Sequence, residues 1–510
     1  MKILFLLFEP MSKIASAREL ELLTHHIQKQ DEIYYFYCKY GLPSCIANLN
    51  HTLSKCVKCI GYRKKNISFI ANYNKLYSLI FNRKQAKFIE KKYNNIITKI
   101  LNKVASAVNI DEIKKINFNG CNMGYESLST LITATRNPDI NISEYRNSIM
   151  SLIRSSLLIH FFLLELFNKK TFDVVYIDHG RRTPMRTAAE TCKLLGVKFI
   201  IYESGSSINK YSLYENELVH TFGKAEERII RFWNNSKLNN FEKIREGVNF
   251  FRSRDIEHQK NIFVINQKKG QLPNNLDKNK RNITFFLTSD DEYAAISKEW
   301  DNKLYKDQYT GLKKICGDLS LIKNFKKTHH IYIRMHPNLK NITNQIAKSI
   351  ISLENNYNFV TVIKPEDKID SYTLLRKSDI IVTFGSTMGI EAIYWKKPSI
   401  LLAPSTYYNL NCCYIPKTHK DVINILKSDK ILTPSKRQRM AAIKYGFYAS
   451  NFGINYKYIN IESESKIFYA NKEIMRALPF DYYIYLLVIR IVKKVTPKTI
   501  LSFLKVFFNL

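Results

Sequence analysis

The chain is short of acid. Against 79 lysines and arginines stand 44 aspartates and glutamates, so its 510 residues carry a net charge of +35. That excess suits an acidic partner such as a phosphorylated substrate, an anionic membrane surface or a nucleic acid. A coding bias toward Lys, Asn, Ile and Tyr is a second source of the lysines. Signatures of RRM, KH, zinc-finger or basic-zipper modules are missing and the lysines are scattered, which argues against nucleic acid. Nine cysteines in a chain this long do not make a disulfide scaffold. There is no repeat of fixed period. No apolar run reaches the roughly 20 residues that a membrane-spanning helix needs. Residues 1–10 have an apolar run, but Glu9 and Pro10 end it and no small-residue cleavage site follows. They read as a buried first strand rather than a signal peptide. The expected location is cytoplasmic.

What is present alternates between strand and helix. A 45% hydrophobic composition allows two or three domains with cores of their own. Residues 3–8 and 33–38 read as strands around a helix at 15–28 with Ser12 as its cap. The Lys/Asn/Tyr-rich stretch 62–115 reads as exposed helices, and 143–167 as a long apolar helix. Strands at 172–177 and 197–202 flank a helix at 185–195 and end in the polar loops 178–182 and 203–207. Sheets of α/β proteins place their sites at such strand ends. A polar, aperiodic linker is expected at 267–281. Beyond it, strands at 283–287, 331–334, 359–363, 380–384 and 399–402 alternate with helices, as in a second parallel sheet. The expected organisation is an N-terminal domain at 1–266, the linker, a C-terminal domain at 282–470 and a helical tail at 471–510. The tail mixes apolar runs with Arg490, Lys493, Lys494, Lys498 and Lys505. It suits either an interfacial helix on an anionic membrane or a terminal helix packed back on the protein.

Two segments carry most of the chemistry. The run Ile333-Arg334-Met335-His336-Pro337 puts an imidazole and a proline just past a strand. The run from Thr383 to Ala392 puts Gly385, Ser386, Thr387 and Gly389 where a helix starts, with Glu391 about one turn in. The hydroxyls can donate to a phosphate, and a helix start offers free N–H groups. The two glycines can let a ligand near the backbone. Glu391 can accept from the two hydroxyls of a ribose. His336 can bind or protonate a phosphate leaving group. Arg334 has the opposite strand parity and is expected in the sheet packing. Ser289, Asp290, Asp291 and Glu292 form a further loop that can cap a helix or supply a base. Among the cysteines, Cys38, Cys45, Cys56 and Cys59 cluster and end in a C-x-x-C, so they are the candidate structural metal ligands, with buried thiols as the alternative.

These motifs, with the Gly180-Arg181 and Glu203-Ser204-Gly205 loops, resemble bacterial glycosyltransferases of capsule and lipopolysaccharide biosynthesis with the GT-B fold. The His-Pro and Ser-Thr pair is also similar to that of bacterial sialyltransferases, Kdo transferases and CDP-glycerol glycerophosphotransferases. The resemblance spans roughly residues 170–405. It implies two Rossmann-like domains with parallel sheets facing an interdomain cleft. The C-terminal domain would bind a CMP-, CDP- or UDP-linked sugar through His336, Pro337, Gly385, Ser386, Thr387 and Glu391. The N-terminal domain would bind a glycan or lipid-linked acceptor through Asp178, Gly180 and Arg181. Glu203, Asp291 and His336 would be the catalytic candidates, with inversion at the sugar and neither metal nor cofactor required. The family pattern has Asn-Gly-Arg where this chain has His179-Gly180-Arg181, and Glu-Arg-Gly where it has Glu203-Ser204-Gly205. Such an enzyme would work at the inner face of the plasma membrane. A CDP-polyol phosphotransferase or a non-catalytic assembly scaffold are the alternatives.

Overall fold

The structure, a computed structural model, describes residues 1–256, 264–340, 345–428, 433–475 and 477–492. The chain forms two compact units. One comprises Met1–Val219 and Gly453–Leu510, the other His220–Phe452.

In the first unit the strands are β1 (Lys2–Leu6), β2 (Glu32–Lys39), β3 (Leu76–Asn82), β4 (Val174–Asp178), β5 (Phe199–Ser204) and β6 (Lys210–Glu215). In the second they are β7 (Arg281–Phe286), β8 (His329–Arg334), β9 (Val360–Ile363), β10 (Ile380–Thr383) and β11 (Ser399–Leu401). The returning segment adds β12 (Ile454–Asn455), β13 (Ile459–Ser463), β14 (Lys466–Tyr469) and β15 (Lys472–Glu473) to the first unit. The first sheet runs β12-β6-β5-β4-β1-β2-β3 and the second β11-β10-β7-β8-β9. Strands β1 to β5 pair parallel, β6 and β12 antiparallel, and every pair in the second sheet is parallel. Both are doubly wound: the first strand of each unit lies inside its sheet, flanked by the second and the fourth. The winding therefore reverses between β1 and β4, and again between β7 and β10. That reversal opens a crevice at the carboxyl ends of those strands.

Most expected elements are present within a residue or two of their expected ends. Ser12 does cap the helix Lys13–Gln28, its Oγ accepting from the Ala15 N–H at 3.2 Å. Three expectations need correction. The stretch 62–115 is not helical throughout, because it contains the edge strand β3, paired parallel with β2. Its sequence, Leu-Tyr-Ser-Leu-Ile-Phe-Asn, is mostly half-exposed and so lacks the apolar run of a central strand. Contrary to the expectation from apolar runs, the helix Ile142–Phe167 is long and apolar enough to cross a membrane; 61% of its apolar window is buried in the protein. The boundary also moves. Helices Lys224–Asn235 and Asn240–Ile256 fall in the second unit, where Trp233 and Phe251 pack with Ile443 and Phe447 of the helix Lys436–Asn451. Gly247 makes that crossing close, since a Cβ there would lie 2.3 Å from the Ile443 carbonyl oxygen. Nor do the described residues of 267–281 hang free: Gly270 N–H donates to Asp370 at 2.7 Å and the Tyr332 hydroxyl to the Asn275 carbonyl at 3.1 Å. Of the tail, the helix Phe480–Val492 is described, and residues 493–510 lie outside the described residues.

Helices Lys13–Gln28 and Leu53–Ser68 are joined by a buried ion pair. Both Arg63 terminal nitrogens meet the Glu19 carboxylate, at 2.5 and 3.2 Å. Removing one partner of such a pair leaves an uncompensated buried charge. Arg63→Ala is expected to cost about 3–5 kcal/mol of stability, read as a lower midpoint in urea unfolding.

Candidate functional site

Loops at the second unit's winding reversal enclose a cavity of about 260 Å³. Its walls include Thr288 after β7, Arg334 to Pro337 at the end of β8, Ser386 and Thr387 after β10, and Glu391. Sequence reasoning named His336, Pro337, Ser386, Thr387 and Glu391, and the fold brings them together. It missed Arg254, Tyr293 and Tyr372, which share the wall.

His336 owes its position to the proline after it. Pro337 opens the 3-10 turn Pro337–Leu339, where a missing N–H costs nothing. The His336 side chain caps that turn, Nδ1 accepting from the Asn338 N–H at 3.2 Å. A neutral ring that accepts at Nδ1 carries its proton on Nε2 and donates there. Arg334, contrary to the parity argument, reaches the cavity. It is 2% exposed and donates to the carbonyls of Lys364 at 2.6 Å and Asp367 at 3.4 Å. Burial lowers its pKa to about 10, so it remains a cation at neutral pH.

Beyond β10, Gly385 adopts φ +104°. The glycines do not open the backbone to a ligand as expected. A Cβ at Gly385 would lie 2.9 Å from the Pro404 carbonyl oxygen, and one at Gly389 would lie 2.5 Å from the Tyr407 hydroxyl. The protein itself fills those spaces. The helix that follows, Met388–Tyr394, has only seven residues. The cationic side chains are therefore the larger attraction for an anion. Glu391 is fully buried and both its oxygens are engaged. Oε2 accepts from the Tyr372 hydroxyl at 2.8 Å, and Oε1 accepts from Thr387 Oγ1 at 3.2 Å and lies 3.4 Å from Arg254 Nε. Glu391 thus orients Arg254 and Thr387 rather than presenting a bare carboxylate. The same carboxylate raises the Arg254 pKa further.

Asp291 is not on this wall; Ser289 Oγ donates to its carboxylate, a local turn contact. The remaining candidates lie in the first unit, at its own winding reversal. There Arg18 Nη2 donates to Asp178 at 2.9 Å and Nη1 to Ser204 Oγ at 2.8 Å, with Glu203 3.6 Å away. Arg182 sits 3.2 Å from Glu9, and His179 Nδ1 3.6 Å from Glu203. Arg181 Nε donates to Ser129 Oγ at 2.6 Å. His179 (φ 58°) and Gly180 (φ 67°) are both left-handed, which costs the glycine nothing and strains only His179. Burial pushes the His179 pKa down to about 3, so the ring is neutral. Burial pushes the Glu9 carboxyl up to about 7, against the pull of Arg182. Sequence reasoning missed Glu9 and Arg18. Glu9 was read only as the stop of an apolar run, although a carboxylate just past a first strand is itself a signal.

The four clustered cysteines line a separate cavity of about 30 Å³ in the first unit. No three His, Cys, Asp or Glu among the described residues have a metal-ligating arrangement, and all nine cysteines are free thiols. Burial raises the Cys38 and Cys45 pKa values to about 11 and 12, which disfavours the thiolate that a metal needs.

Tyr372→Phe removes a hydroxyl from a buried carboxylate. It is expected to cost about 1.5–3 kcal/mol in urea unfolding and to loosen Arg254.

No protein-family model and no curated protein sequence matches the chain. Among solved structures it is similar to KpsC of Thermosulfurimonas dismutans, a beta Kdo 2,4 transferase, at 12% identity over 62% of this chain and 87% of that one, with a TM-score of 0.30. It is similar to the UDP-GlcNAc 2-epimerase of Neisseria meningitidis, solved with UDP-GlcNAc bound, at 12% identity over 88% and 97%, TM-score 0.25. It is also similar to the wall teichoic acid polymerase TagF at 16% identity over 61% and 57%, TM-score 0.21. Identities and TM-scores this low leave the side chains of the two clusters as the ground for function.

Proposed function

We propose that the protein is a glycosyltransferase that moves a sugar from a nucleotide-activated donor to a hydroxyl of a bacterial surface polysaccharide. The observation that carries this reading is the cavity at the reversal between β7 and β10. Two arginines, a histidine with its proton on Nε2, and the hydroxyls of Ser386 and Thr387 line one space. Set against the single carboxylate Glu391, that lining is net positive. It suits a diphosphate or monophosphate. Ordinary sugars are poor electrophiles, so transfer needs a phosphate leaving group, and negative charge grows on that phosphate as the bond breaks. Donors held rigidly around it stabilise that charge without reorganising. His336, Arg254 and the Ser386 hydroxyl fill this role. The likeness of the His-Pro and Ser-Thr motifs to polysaccharide-building transferases supports the choice of acceptor class.

The test is a thermal-shift screen of the full chain with CMP, CDP, UDP and GDP, followed by transfer assays with the corresponding sugars. A matching nucleotide at a hundred times its Kd is expected to stabilise the protein by about 2.7 kcal/mol. His336→Ala is expected to lower transfer about 10²–10³-fold with unfolding unchanged. Absence of any nucleotide effect on the unaltered protein overturns the reading. A phosphodiester in the product replaces it with polyol-phosphate transfer.

A further inference from the structure

We propose that the helix Phe480–Val492 seats the first unit on the surface of an anionic lipid bilayer, lying flat on it by an apolar stripe that the protein leaves uncovered. Lipid docking does not depend on the transferase reading. The helix is apolar on two opposite sides. On one, Tyr482, Tyr485, Leu486 and Ile489 pack with Tyr40, Val57 and Ile60. The approach to the helix Leu53–Ser68 is close, since a Cβ at Gly61 would lie 2.9 Å from the Tyr482 ring. On the other side stand Phe480, Tyr483, Ile484 and Leu487, which are 79%, 50%, 42% and 56% exposed. Their spacing of i, i+3, i+4 and i+7 puts them on one face of the helix. A surface helix in water carries polar residues on that face, and a run of large apolar side chains there marks a surface that binds something.

Charge selects a lipid surface as the occupant. The charged residues of the helix are Asp481 in its first turn and Arg490 in its last. Asp481 is met by Lys64 of the helix Leu53–Ser68 at 3.3 Å, and the same ammonium lies over the Tyr482 ring, 5.7 Å from its centroid. The acid is therefore compensated. Arg490, three residues past Leu487, borders the exposed stripe as an exposed cation. The sequence beyond the helix, residues 493–510, adds four lysines and no acid. Basic residues beside an apolar stripe are attracted by anionic headgroups while the stripe enters the acyl boundary. A second copy of this chain fits less well. Four partly exposed side chains present less than the roughly 800 Å² per partner that a standard protein interface buries. Two chains of net charge +35 also repel each other.

The geometry favours lying on the bilayer over crossing it. At 1.5 Å per residue the 13 residues of the helix span about 20 Å, short of the roughly 30 Å of the hydrocarbon core. Its other face is held by the protein. Tyr483, with an apolar ring and a polar tip, suits the headgroup level.

The test is sedimentation of the full chain with vesicles of phosphatidylcholine, with and without phosphatidylglycerol. The protein should pellet with the mixed vesicles, remain in solution with phosphatidylcholine alone, and be released by salt. Replacing two stripe residues together, Ile484→Ser and Leu487→Ser, should lower the affinity for mixed vesicles about tenfold or more, with urea unfolding unchanged. No binding of the unaltered protein to mixed vesicles overturns the proposal, and so does binding by the double variant within twofold of the unaltered protein. Equal binding to both vesicles overturns the anionic part. Self-association that the double variant abolishes, in a protein that ignores vesicles, assigns the stripe to a second copy instead. Should the double variant fail to fold, Leu487→Trp decides, because it keeps an apolar side chain: its added emission should move to shorter wavelength with mixed vesicles, and an unmoved spectrum rules the stripe out.

Discussion

The reversal of winding in each sheet is the constraint on which both sites depend. A parallel sheet wound in one direction covers its strand ends with helices of one face. Where the direction changes, adjacent connections part to opposite faces and leave a crevice. In the second unit the parting falls between β7 and β10, and the loops after them carry Thr288 and the Ser386-Thr387 pair. In the first it falls between β1 and β4, and the loops carry Glu9 and the Asp178 to Arg182 segment. Neither site uses a cavity in the core. Strands such as β4 and β8, buried along their whole length, hold the loops in place, and the candidate side chains lie within a few residues of the strand ends.

The two crevices differ in electrostatics more than in architecture. The second unit faces its cavity with arginines that are anchored from behind, Arg334 by carbonyls and Arg254 by a buried carboxylate. The first faces its crevice with Arg18 and Arg182, each beside an acid, and with Arg181 on the Ser129 hydroxyl. Anchoring matters because a long cation free in water spends its entropy on every encounter with an anion. One already held by Glu391 or by backbone carbonyls has lost that freedom on folding. Charge balance is thus what distinguishes the two crevices on nearly the same framework.

What the sequence made legible follows from what is local. Apolar runs marked nine of the eleven strands that precede the returning segment, all but β3 and β6, because core strands are apolar over consecutive residues. Strand β3 was hidden by its half-exposed edge position. The His-Pro and Ser-Thr motifs were legible because each lies within a few residues of a strand end. Arg254 and Tyr372 were not, since they enter the wall from helices whose own periodicity is spent on packing. The misplaced boundary has the same cause. Lys224–Asn235 and Asn240–Ile256 precede the second sheet in sequence, and only their fit against Lys436–Asn451 assigns them to it.

Glu391 shows that a place on the cavity wall does not by itself fix a role. A carboxylate one turn into a helix beside a phosphate-type loop reads as a ligand for ribose hydroxyls. With Tyr372, Thr387 and Arg254 already on its two oxygens, it has little capacity left for a ribose. A bare buried carboxylate in the same cavity would repel the phosphate; one neutralised by Arg254 does not, and it fixes the guanidinium by a charged contact. The geometry therefore leaves the cation, rather than the acid, as the group able to meet an anion in the cavity. A lysine at position 254 would lack the planar fork that can meet a carboxylate on one side and an oxyanion on the other.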